Sequence, residues 1–316
     1  MTVDTTVTVR VPAKVNLQLA VGPRREDGFH ALVNVFHAVS LFDEVTVKAA
    51  SPRQSHALTA LTATGQSESH LARVPLDETN LAARAALLLA EETGSGFPVD
   101  IHLDKHIPVA GGMAGGSADA AAALVACDRL WGCGLSRERL LDLAARLGSD
   151  VAFGLVGDTA VGTGRGELLD PMASPGRYRW VFALSTRGLS TADVFGEYDR
   201  LRPDAPDPRL DLALQQALAS GDAEALGRSL SNDLQPAALS LLPELQRTLD
   251  AGRSAGAIGA LVSGSGPTCA FLIGGGGEDA ALVAEREAEV VAALWATGMC
   301  EQVVAADGDV PGATVL

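Results

Sequence analysis

Hydrophobic and polar residues alternate along the first fifty positions in the way that half-buried β-strands require. A strand is predicted over residues 7–11, and a second run with the same period follows Pro12. The segments 35–42 and 43–50 predict a further pair of strands. Residues 51–75 are polar and irregular, so we expect a long surface excursion without a motif there.

Apolar residues with helical spacing dominate the next part of the chain. They predict a helix over 78–94 with Thr79 or Asn80 as its N-cap, one over 117–131 and one over 136–148. Between the first two helices, the alternation across 99–109 predicts a strand that leads directly into a glycine-rich segment. The first half of the chain is therefore mixed, with helices packed on a largely antiparallel sheet.

Proline, glycine and polar residues cluster at 168–180, and the pattern of elements changes after them. The elements predicted beyond this point are a strand at 178–184, helices to about 250, strands at 256–263 and 268–274, a helix at 278–296 and a strand at 301–307. The order β–α–β–β–α–β is typical of a ferredoxin-like layer. We expect an α+β protein of two domains, 1–172 and 173–316.

Composition excludes some classes of function but does not identify a single one. The 316 residues carry a net charge of −15, which argues against nucleic-acid binding because that function needs a basic face. A local pocket built from backbone N–H groups and one or two lysines can still hold a phosphate-bearing ligand. Four scattered cysteines, no secretory signal and no long apolar run indicate a cytoplasmic protein with free thiols that does not enter a membrane. The sequence does not decide between a monomer and a homodimer.

The segment "PVAGGMAGGSADAAAAL" at residues 108–124 is the first candidate for chemistry. It follows a predicted strand and opens a predicted helix, which is the context of a phosphate-binding loop. It contains no Gly-Lys-Ser/Thr, and the first half does not form the parallel βαβ unit of a dinucleotide fold, so both common nucleotide motifs are excluded. A flexible connection into an alanine-rich helix is the alternative.

Three further stretches have both a structural and a functional interpretation. "GALVSGSGPTCAFL" at 259–272 predicts a tight turn between two strands. Lys14, in "PAKVNL", is either a charge on an edge strand or a cation that points into a site. Asp150 follows a helix stop and is either the N-cap of the next helix or a catalytic carboxylate.

Together and in this order, these stretches resemble the GHMP kinase superfamily. "PAKVNL", "PVAGGMAGGSADA" and "GALVSGSGPTCAFL" are similar to its three motifs. The resemblance implies a two-domain fold, in which a first domain like ribosomal protein S5 domain 2 precedes a ferredoxin-like domain. Further similar stretches at 27–45, 147–167 and 189–195 indicate the branch that acts in non-mevalonate isoprenoid synthesis.

The resemblance implies a kinase that uses ATP and Mg²⁺. Asp150 would be the general base for the substrate hydroxyl, and Lys14 would hold that carboxylate ionised and favour the developing alkoxide. Ser117 would lie near the β-phosphate or Mg²⁺, while the protein ligands of the metal are not identified. The implied ATP-binding residues are Pro108, Val109, Ala110, Gly111, Gly112, Met113, Ala114, Gly115, Gly116, Ser117 and Ala118.

The implied phosphate acceptor is a small molecule, a cytidine-diphosphate-linked methylerythritol phosphorylated at its 2-hydroxyl. Asn16, Phe29 and His30 match positions that hold its cytidine end, and Phe195, with Thr191 nearby, matches an aromatic that stacks on cytosine. Homoserine or mevalonate as the acceptor is the alternative within the superfamily, and neither has a base to stack. A nucleotide-binding protein without catalysis is the alternative outside the enzymes.

The chain departs from the family pattern at three positions. Ala114 stands where a glycine is usual and Ala118 where a hydroxyl is usual, within "GMAGGSAD". Alanine disfavours positive φ, so we expect either a slightly different loop or a position that does not need that conformation. Phe29 replaces a common tyrosine, which keeps the stacking surface and removes one hydrogen bond.

Overall fold

The computed structural model describes residues 5–50, 58–65, 68–109, 111–275 and 277–316. The strands among them are β1 Thr6–Arg24, β2 His30–Ala49, β3 Leu58–Gly65, β4 Val99–Lys105, β5 Thr159–Thr163, β6 Leu168–Pro171, β7 Tyr178–Ser185, β8 Ser231–Asn232, β9 Gly259–Val262, β10 Cys269–Gly275, β11 Cys300–Asp307 and β12 Thr314–Val315. The helices are α1 Glu68–Leu71, α2 Leu81–Thr93, α3 Gly115–Trp131, α4 Arg137–Leu147, α5 Val151–Val156, α6 Thr191–Leu201, α7 Leu212–Ser220, α8 Ala223–Ser229, α9 Gln235–Leu241, α10 Glu244–Ser254 and α11 Ala280–Ala296.

The long antiparallel pair of β1 and β2 forms the centre of the first sheet, whose main order is β12-β1-β2-β4-β3. The prediction of two shorter strands on either side of Pro12 is wrong, because β1 continues through it with a register shift between Pro12 and Ala13. A bulge of this kind accommodates the missing proline N–H. The predicted pair at 35–42 and 43–50 is also one strand, since the buried Asp43 lies within β2 and does not mark a turn.

The region 51–75, expected to be irregular, contains β3 and the short helix α1. Strand β3 pairs in parallel with β4 at the edge of the sheet, and half-buried and exposed residues alternate along it. Its apolar residues are only leucines and alanines separated by threonines, so the strand has a weak hydrophobic pattern. Residues 51–57 and 66–67 lie outside the described residues.

Helices α2 and α3 pack on the first sheet, α4 packs against α2, α3 and α5, and all three match the predicted helices closely. Asn80 is the N-cap of α2, where its side-chain oxygen accepts the N–H of Ala82 at 2.8 Å. The interior of α3 is built from alanines that are fully buried, which lets this helix pack closely against β1 and β2. It begins at Gly115, two residues before the predicted start.

The second sheet has the order β11-β7-β10-β9, with antiparallel neighbours throughout. Its strands and the long helix α11 follow the predicted β–α–β–β–α–β order, which confirms the ferredoxin-like arrangement. Strands β8 and β12, from the later part of the chain, pair with β1 in the first sheet. The division of the chain at residue 172 stays a prediction.

Three clusters of buried apolar residues, counted among the described residues, hold the sheets and helices together. The largest one includes valines of β1 and β2 together with Trp180 and Phe182 of β7, so it extends across both sheets. The four cysteines are free thiols, and burial raises the pKa of Cys127 and Cys269 far above the usual range. Within the described ranges, no helix has the length and apolar character needed to cross a membrane.

Candidate active site

A cavity of about 1010 Å³ lies where the glycine-rich segment meets β1, β2 and α6. Of the eleven residues predicted to bind ATP, six line it: Gly111, Gly112, Ala114, Gly115, Gly116 and Ser117. Pro108, Met113 and Ala118 are buried behind them. Val109 faces a small separate pocket, and Ala110 lies outside the described residues.

The glycines of this segment serve two different structural purposes. A Cβ on Gly112 would lie 2.3 Å from the carbonyl oxygen of Ser263, and Gly111 has a similar close approach to Thr268. These two glycines therefore allow the segment to pack against the turn between β9 and β10. Gly116 is exposed, and a Cβ at this position would meet no atom closer than 3.8 Å, so its backbone faces the open cavity.

Ala114 is the N-cap of α3 and has φ 61°, the left-handed conformation. The expectation that an alanine would avoid positive φ at this point is therefore wrong. The tertiary contacts around the segment hold the residue in a conformation that its side chain disfavours. The N-terminus of α3, with its unpaired N–H groups, begins directly at the cavity.

The structure brings Lys14 and Asp150 together from β1 and the start of α5. Lys14 Nζ lies 3.6 Å from Asp150 Oδ2, and it also donates to Asn16 Oδ1 at 2.7 Å and to the carbonyl oxygen of Gly112 at 2.9 Å. Burial lowers the pKa of Lys14, and the nearby Asp150 carboxylate opposes that effect. Asp150 occupies the N-cap position of α5 but makes no capping hydrogen bond, so its side chain is available to the cavity.

Of the residues predicted to hold the acceptor, Asn16 adjoins Lys14, while His30 and Phe195 form a separate part of the cavity wall. The rings of His30 and Phe195 stack with their centroids 5.1 Å apart. His30 Nδ1 lies 2.9 Å from the carbonyl oxygen of Gly22, which can only accept, so this nitrogen carries a proton. Nε2 of His30 is directed towards Asp199, at 3.4 Å.

Phe29 and Thr191 complete the predicted acceptor residues. Phe29 is 53% exposed, and the guanidinium of Arg165 lies 5.0 Å from the centre of its ring. Thr191 Oγ1 lies 2.9 Å from Ser265 Oγ, which connects α6 with the turn between β9 and β10. All five of the predicted acceptor residues line the same cavity as Lys14 and Asp150: Asn16, Phe29, His30, Thr191 and Phe195.

Comparison with known proteins identifies the family. The GHMP kinases N terminal domain matches residues 80–160, and the GHMP kinases C terminal domain matches residues 214–292. A 4-diphosphocytidyl-2-C-methyl-D-erythritol kinase of Thermobifida fusca is 64% identical, with 100% of each chain covered. The chain belongs to the GHMP kinases. A kinase of the same name from Streptomyces coelicolor is 57% identical over 98% of this chain and 99% of the relative.

Solved structures agree with the fold of this GHMP kinase. A crystal structure of 4-(cytidine 5'-diphospho)-2C-methyl-D-erythritol kinase superposes with a TM-score of 0.74 at 32% identity, covering 96% of this chain and 99% of that one. A homoserine kinase from Cytophaga hutchinsonii has the same TM-score at 20% identity and covers 100% and 99% of the two chains. The second similarity shows the fold alone, while the family assignment makes this chain an ATP-dependent kinase.

Sequence reasoning missed a buried ionic cluster that supports the glycine-rich segment of this GHMP kinase. Lys105, the last residue of β4, forms ion pairs with Asp43 and with Asp119, the latter at 2.6 Å. Asp43 Oδ1 also accepts the backbone N–H groups of His106 and Ile107, at 2.6 and 2.8 Å. The signal was visible, since Lys105 continues the inward-facing phase of Val99, Ile101 and Leu103 in β4.

The cluster contains two carboxylates and one lysine, so its charges do not balance. Burial raises the pKa of Asp119 to about 7, even though the Lys105 cation opposes the shift. The pKa of Lys105 is raised, because the two carboxylates outweigh the effect of burial. Asp119 Oδ1 has no hydrogen-bond partner among the described residues. The cluster thus links the end of β4 to the first turn of α3 on either side of the glycine-rich segment.

Further cavity residues were also missed: Arg24, Asn34, Leu81, Ser149, Arg165, Asp199 and Ser265. Asp199 follows Phe195 by four residues and Thr191 by eight, so helical spacing places all three on one face of α6. That spacing was a usable signal in the sequence. The others come from separate elements, and no local pattern connects them.

Proposed function

We propose that this GHMP kinase transfers the γ-phosphate of ATP to the 2-hydroxyl of 4-diphosphocytidyl-2-C-methyl-D-erythritol, in non-mevalonate isoprenoid synthesis. The observation that carries the proposal is the cavity itself. It places the Lys14–Asp150 pair between the start of α3 at one end and the His30–Phe195 stack at the other. The full-length relatives that carry this name support the same substrate.

The donor side of the cavity suits a triphosphate. The N–H groups at the start of α3 and the helix dipole favour negative charge, and Gly115 and Gly116 let a phosphate approach the backbone. Across the described residues, no group of three or more His, Cys, Asp or Glu side chains is arranged to hold a metal ion. Mg²⁺ in kinases usually takes few protein ligands besides phosphates and water. Ser117, whose hydroxyl borders the cavity, would hold the ion, which neutralises phosphate charge when bound.

The transfer step needs a base and a cation beside the reacting hydroxyl. Asp150 accepts the hydroxyl proton as the oxygen forms its bond to the γ-phosphorus, and the bond between that phosphorus and the β–γ bridging oxygen breaks to release ADP. Lys14, 3.6 Å from Asp150, stabilises negative charge on the attacking oxygen. An aspartate is a weak base at neutral pH, so positioning and charge supply most of the rate enhancement.

On the acceptor side, the base of the substrate would be held by aromatic surfaces and one imidazole. Phe195 and Phe29 offer faces for stacking on cytosine, and His30 and Asp199, which line the same cavity, would contact the edge of the base. Asn16 and Thr191 would contact the remainder of the acceptor. This end of the cavity has no use in a homoserine or mevalonate kinase, because those acceptors carry no base.

The test is ATP consumption with three acceptors measured side by side, namely the cytidine-linked substrate, mevalonate and homoserine. We expect turnover with the cytidine-linked substrate to exceed the other two by at least about 100-fold in kcat/KM, because a pocket built for a base discriminates against ligands without one. A preference for mevalonate or homoserine would overturn the proposed substrate assignment and leave the family assignment intact. Binding of ATP without ATP consumption in the presence of any of the three acceptors would favour a non-catalytic nucleotide-binding protein.

Asp150→Asn tests the base directly. We expect kcat to fall by about 100-fold or more, because the amide cannot take up the proton, while the affinity for ATP changes little. ATP binding is measured by calorimetry and turnover by a coupled ADP assay. Turnover at the wild-type rate in this variant would contradict the mechanism.

The proposal extends to the localisation, oligomeric state and partners of the enzyme. We infer that the kinase is cytoplasmic and either monomeric or homodimeric. Its partners are small molecules, and it binds neither nucleic acid nor membranes. The net charge of −15 supports the absence of nucleic-acid binding, since a polyanion would be repelled.

A further inference from the structure

Three buried polar side chains form a hydrogen-bonded chain that starts at Lys14. Lys14 Nζ donates to Asn16 Oδ1 at 2.7 Å, and Asn16 Nδ2 donates to Asn34 Oδ1 at 2.7 Å. A lysine ammonium has only donors, so Asn16 must turn its oxygen towards Lys14 and its amide nitrogen towards Asn34. Asn34 must then present its own oxygen to Asn16. The direction of every hydrogen bond in the chain is therefore set by the charge at its start.

The pairing of β1 and β2 makes this contact possible. Asn16 lies opposite Phe36, and a register shift follows it, so that Asn34 is its diagonal neighbour on the same face of the sheet. Asn34 is only 4% exposed. A buried asparagine in the middle of a strand is costly unless both ends of its amide are satisfied.

One end of the Asn34 amide is satisfied by Asn16, and the other faces the cavity. Among the residues that the structure describes, Asn34 Nδ2 has no hydrogen-bond partner, and Asn34 lines the cavity. His30, Leu32 and Asn34 occupy alternate positions along β2, and all three line it. Asn34 thus lies along the wall between the His30–Phe195 stack and the Lys14–Asp150 pair.

An acceptor that places its base at His30 and its reacting hydroxyl at Asp150 must pass Asn34 with the segment that joins the two. In the proposed acceptor this segment is the diphosphate and the polyol, which are rich in oxygen acceptors and carry negative charge. We propose that Asn34 is a further acceptor-binding residue, whose Nδ2 donates to an oxygen of this segment. The inference rests on the proposed function, and it assigns to Asn34 a role that also keeps Asn16 oriented towards Lys14.

The test compares Asn34→Asp with the wild type in binding of CDP and of the complete cytidine-linked acceptor, both measured by calorimetry. The aspartate keeps the size and the acceptor for Asn16, but it removes the donor and adds a negative charge. We expect the affinity for the complete acceptor to fall about tenfold or more, as for the loss of a hydrogen bond to a charged group, with the KM for ATP unchanged. If Asn34→Asp also binds CDP more weakly, the oxygen that Asn34 contacts belongs to the diphosphate. If only the complete acceptor binds more weakly, that oxygen belongs to the polyol.

Thr46→Val is the matched control, because Thr46 lies on the same strand and bonds only Thr8 Oγ1 at 2.9 Å, away from the cavity. It should bind both ligands as the wild type does. Wild-type affinity for both ligands in Asn34→Asp would overturn the inference while leaving the proposed function intact. Failure of the wild-type protein to bind the cytidine-linked acceptor would overturn both.

A second variant covers the case in which Asn34→Asp does not fold. Asn34→Ser keeps an acceptor for Asn16 and shortens the donor, so the acceptor should bind at least about threefold more weakly, again with the KM for ATP unchanged. Unchanged acceptor affinity in this variant would count equally against the inference.

Discussion

At the scale of single residues, Ala114 and His37 show how the tertiary structure imposes states that their chemistry disfavours. Ala114 is held at φ 61° at the start of α3. His37 is fully buried with Nδ1 at 2.8 Å from Thr159 Oγ1, and Nε2 has no partner among the described residues. Burial lowers the pKa of His37 to about 3, so the ring is neutral in the folded protein.

The change in stability on substitution of Ala114 should depend on backbone conformation and not on side-chain size alone. Ala114→Gly removes a left-handed backbone strain of about 1 kcal/mol from the folded protein. It also makes the unfolded chain more flexible, which destabilises the folded protein by a similar amount, so stability should change by less than about 1 kcal/mol. Ala114→Val should cost about 2 kcal/mol or more, because a β-branched residue is a strong outlier at positive φ. Urea unfolding measures both variants. Equal stability of the valine and glycine variants would contradict the assigned conformation.

His37 should make the protein less stable in mild acid. The unfolded chain protonates His37 near pH 6.5 and the folded protein only near pH 3, so stability is highest above pH 6.5 and falls as the pH decreases through that window. Between pH 7 and 4.5 this single group should remove about 2 kcal/mol. Urea unfolding at the two pH values provides the measurement.

His37→Asn is the informative variant for this prediction, because it keeps a polar atom for Thr159 and cannot titrate. It should be less stable at pH 7 but should lose less stability on acidification. Asp119, whose pKa is raised to about 7 by burial, acts in the opposite direction and is common to both proteins, so it cancels in the difference. Identical losses in the two proteins would exclude His37 as the source.

At the scale of elements, the unit formed by β4, the glycine-rich segment and α3 depends on the cluster of Lys105, Asp43 and Asp119. Of the described residues between β4 and α3, none belongs to a helix or a strand. The ionic cluster fastens the glycine-rich segment at its base, and the turn between β9 and β10 supports it from the other side. A loop that must present N–H groups to a ligand is thereby fixed before the ligand arrives.

The two carboxylates of this cluster should not be equivalent. Asp43→Asn should cost about 3 kcal/mol or more, because Asp43 pairs with the buried Lys105 and accepts two backbone N–H groups. Asp119→Asn should cost less than about 1 kcal/mol, since its pKa near 7 makes the carboxyl partly neutral already and one carboxylate remains for Lys105. Chemical denaturation compares the two. A larger loss for Asp119→Asn would show that the charges are arranged differently.

At the scale of the whole molecule, the proposed active site is assembled from parts that are far apart in the chain. Lys14 and His30 come from the first sheet, Asp150 from α5, and Phe195 from the helix that follows β7. The backbone of Gly112 meets that of Ser263, so the glycine-rich segment and the later turn can only be correct together. Binding at the acceptor end therefore requires both sheets to be in place.

Phe195→Ala should affect the acceptor and spare ATP. Loss of base stacking is worth about 1–3 kcal/mol, so the KM for the cytidine-linked acceptor should rise at least about fivefold, while the KM for ATP should stay within about twofold. Trp295→Ala is the control, since Trp295 is a 48% exposed aromatic on α11 that does not line the cavity. An equal rise in both KM values would indicate a general structural effect in place of a lost contact with the base.

The sequence by itself determined the element types, the family and the motifs, because periodicity, caps and glycine-rich turns are local properties. It correctly predicted the helix over residues 78–94 and the order of strands and helices along the second half of the chain. It misjudged β2 at Asp43 because a buried charge within a strand resembles a turn when its partner, Lys105, is 62 positions away.

Only the tertiary structure decided which polar residues meet. The 3.6 Å approach of Lys14 to Asp150, the chain from Lys14 to Asn34 and the positive φ of Ala114 all depend on contacts between distant segments. Local propensity opposes the conformation of Ala114 and says nothing about the partners of Asn34. Those features arise because packing two sheets around one cavity provides the free energy that single residues lack.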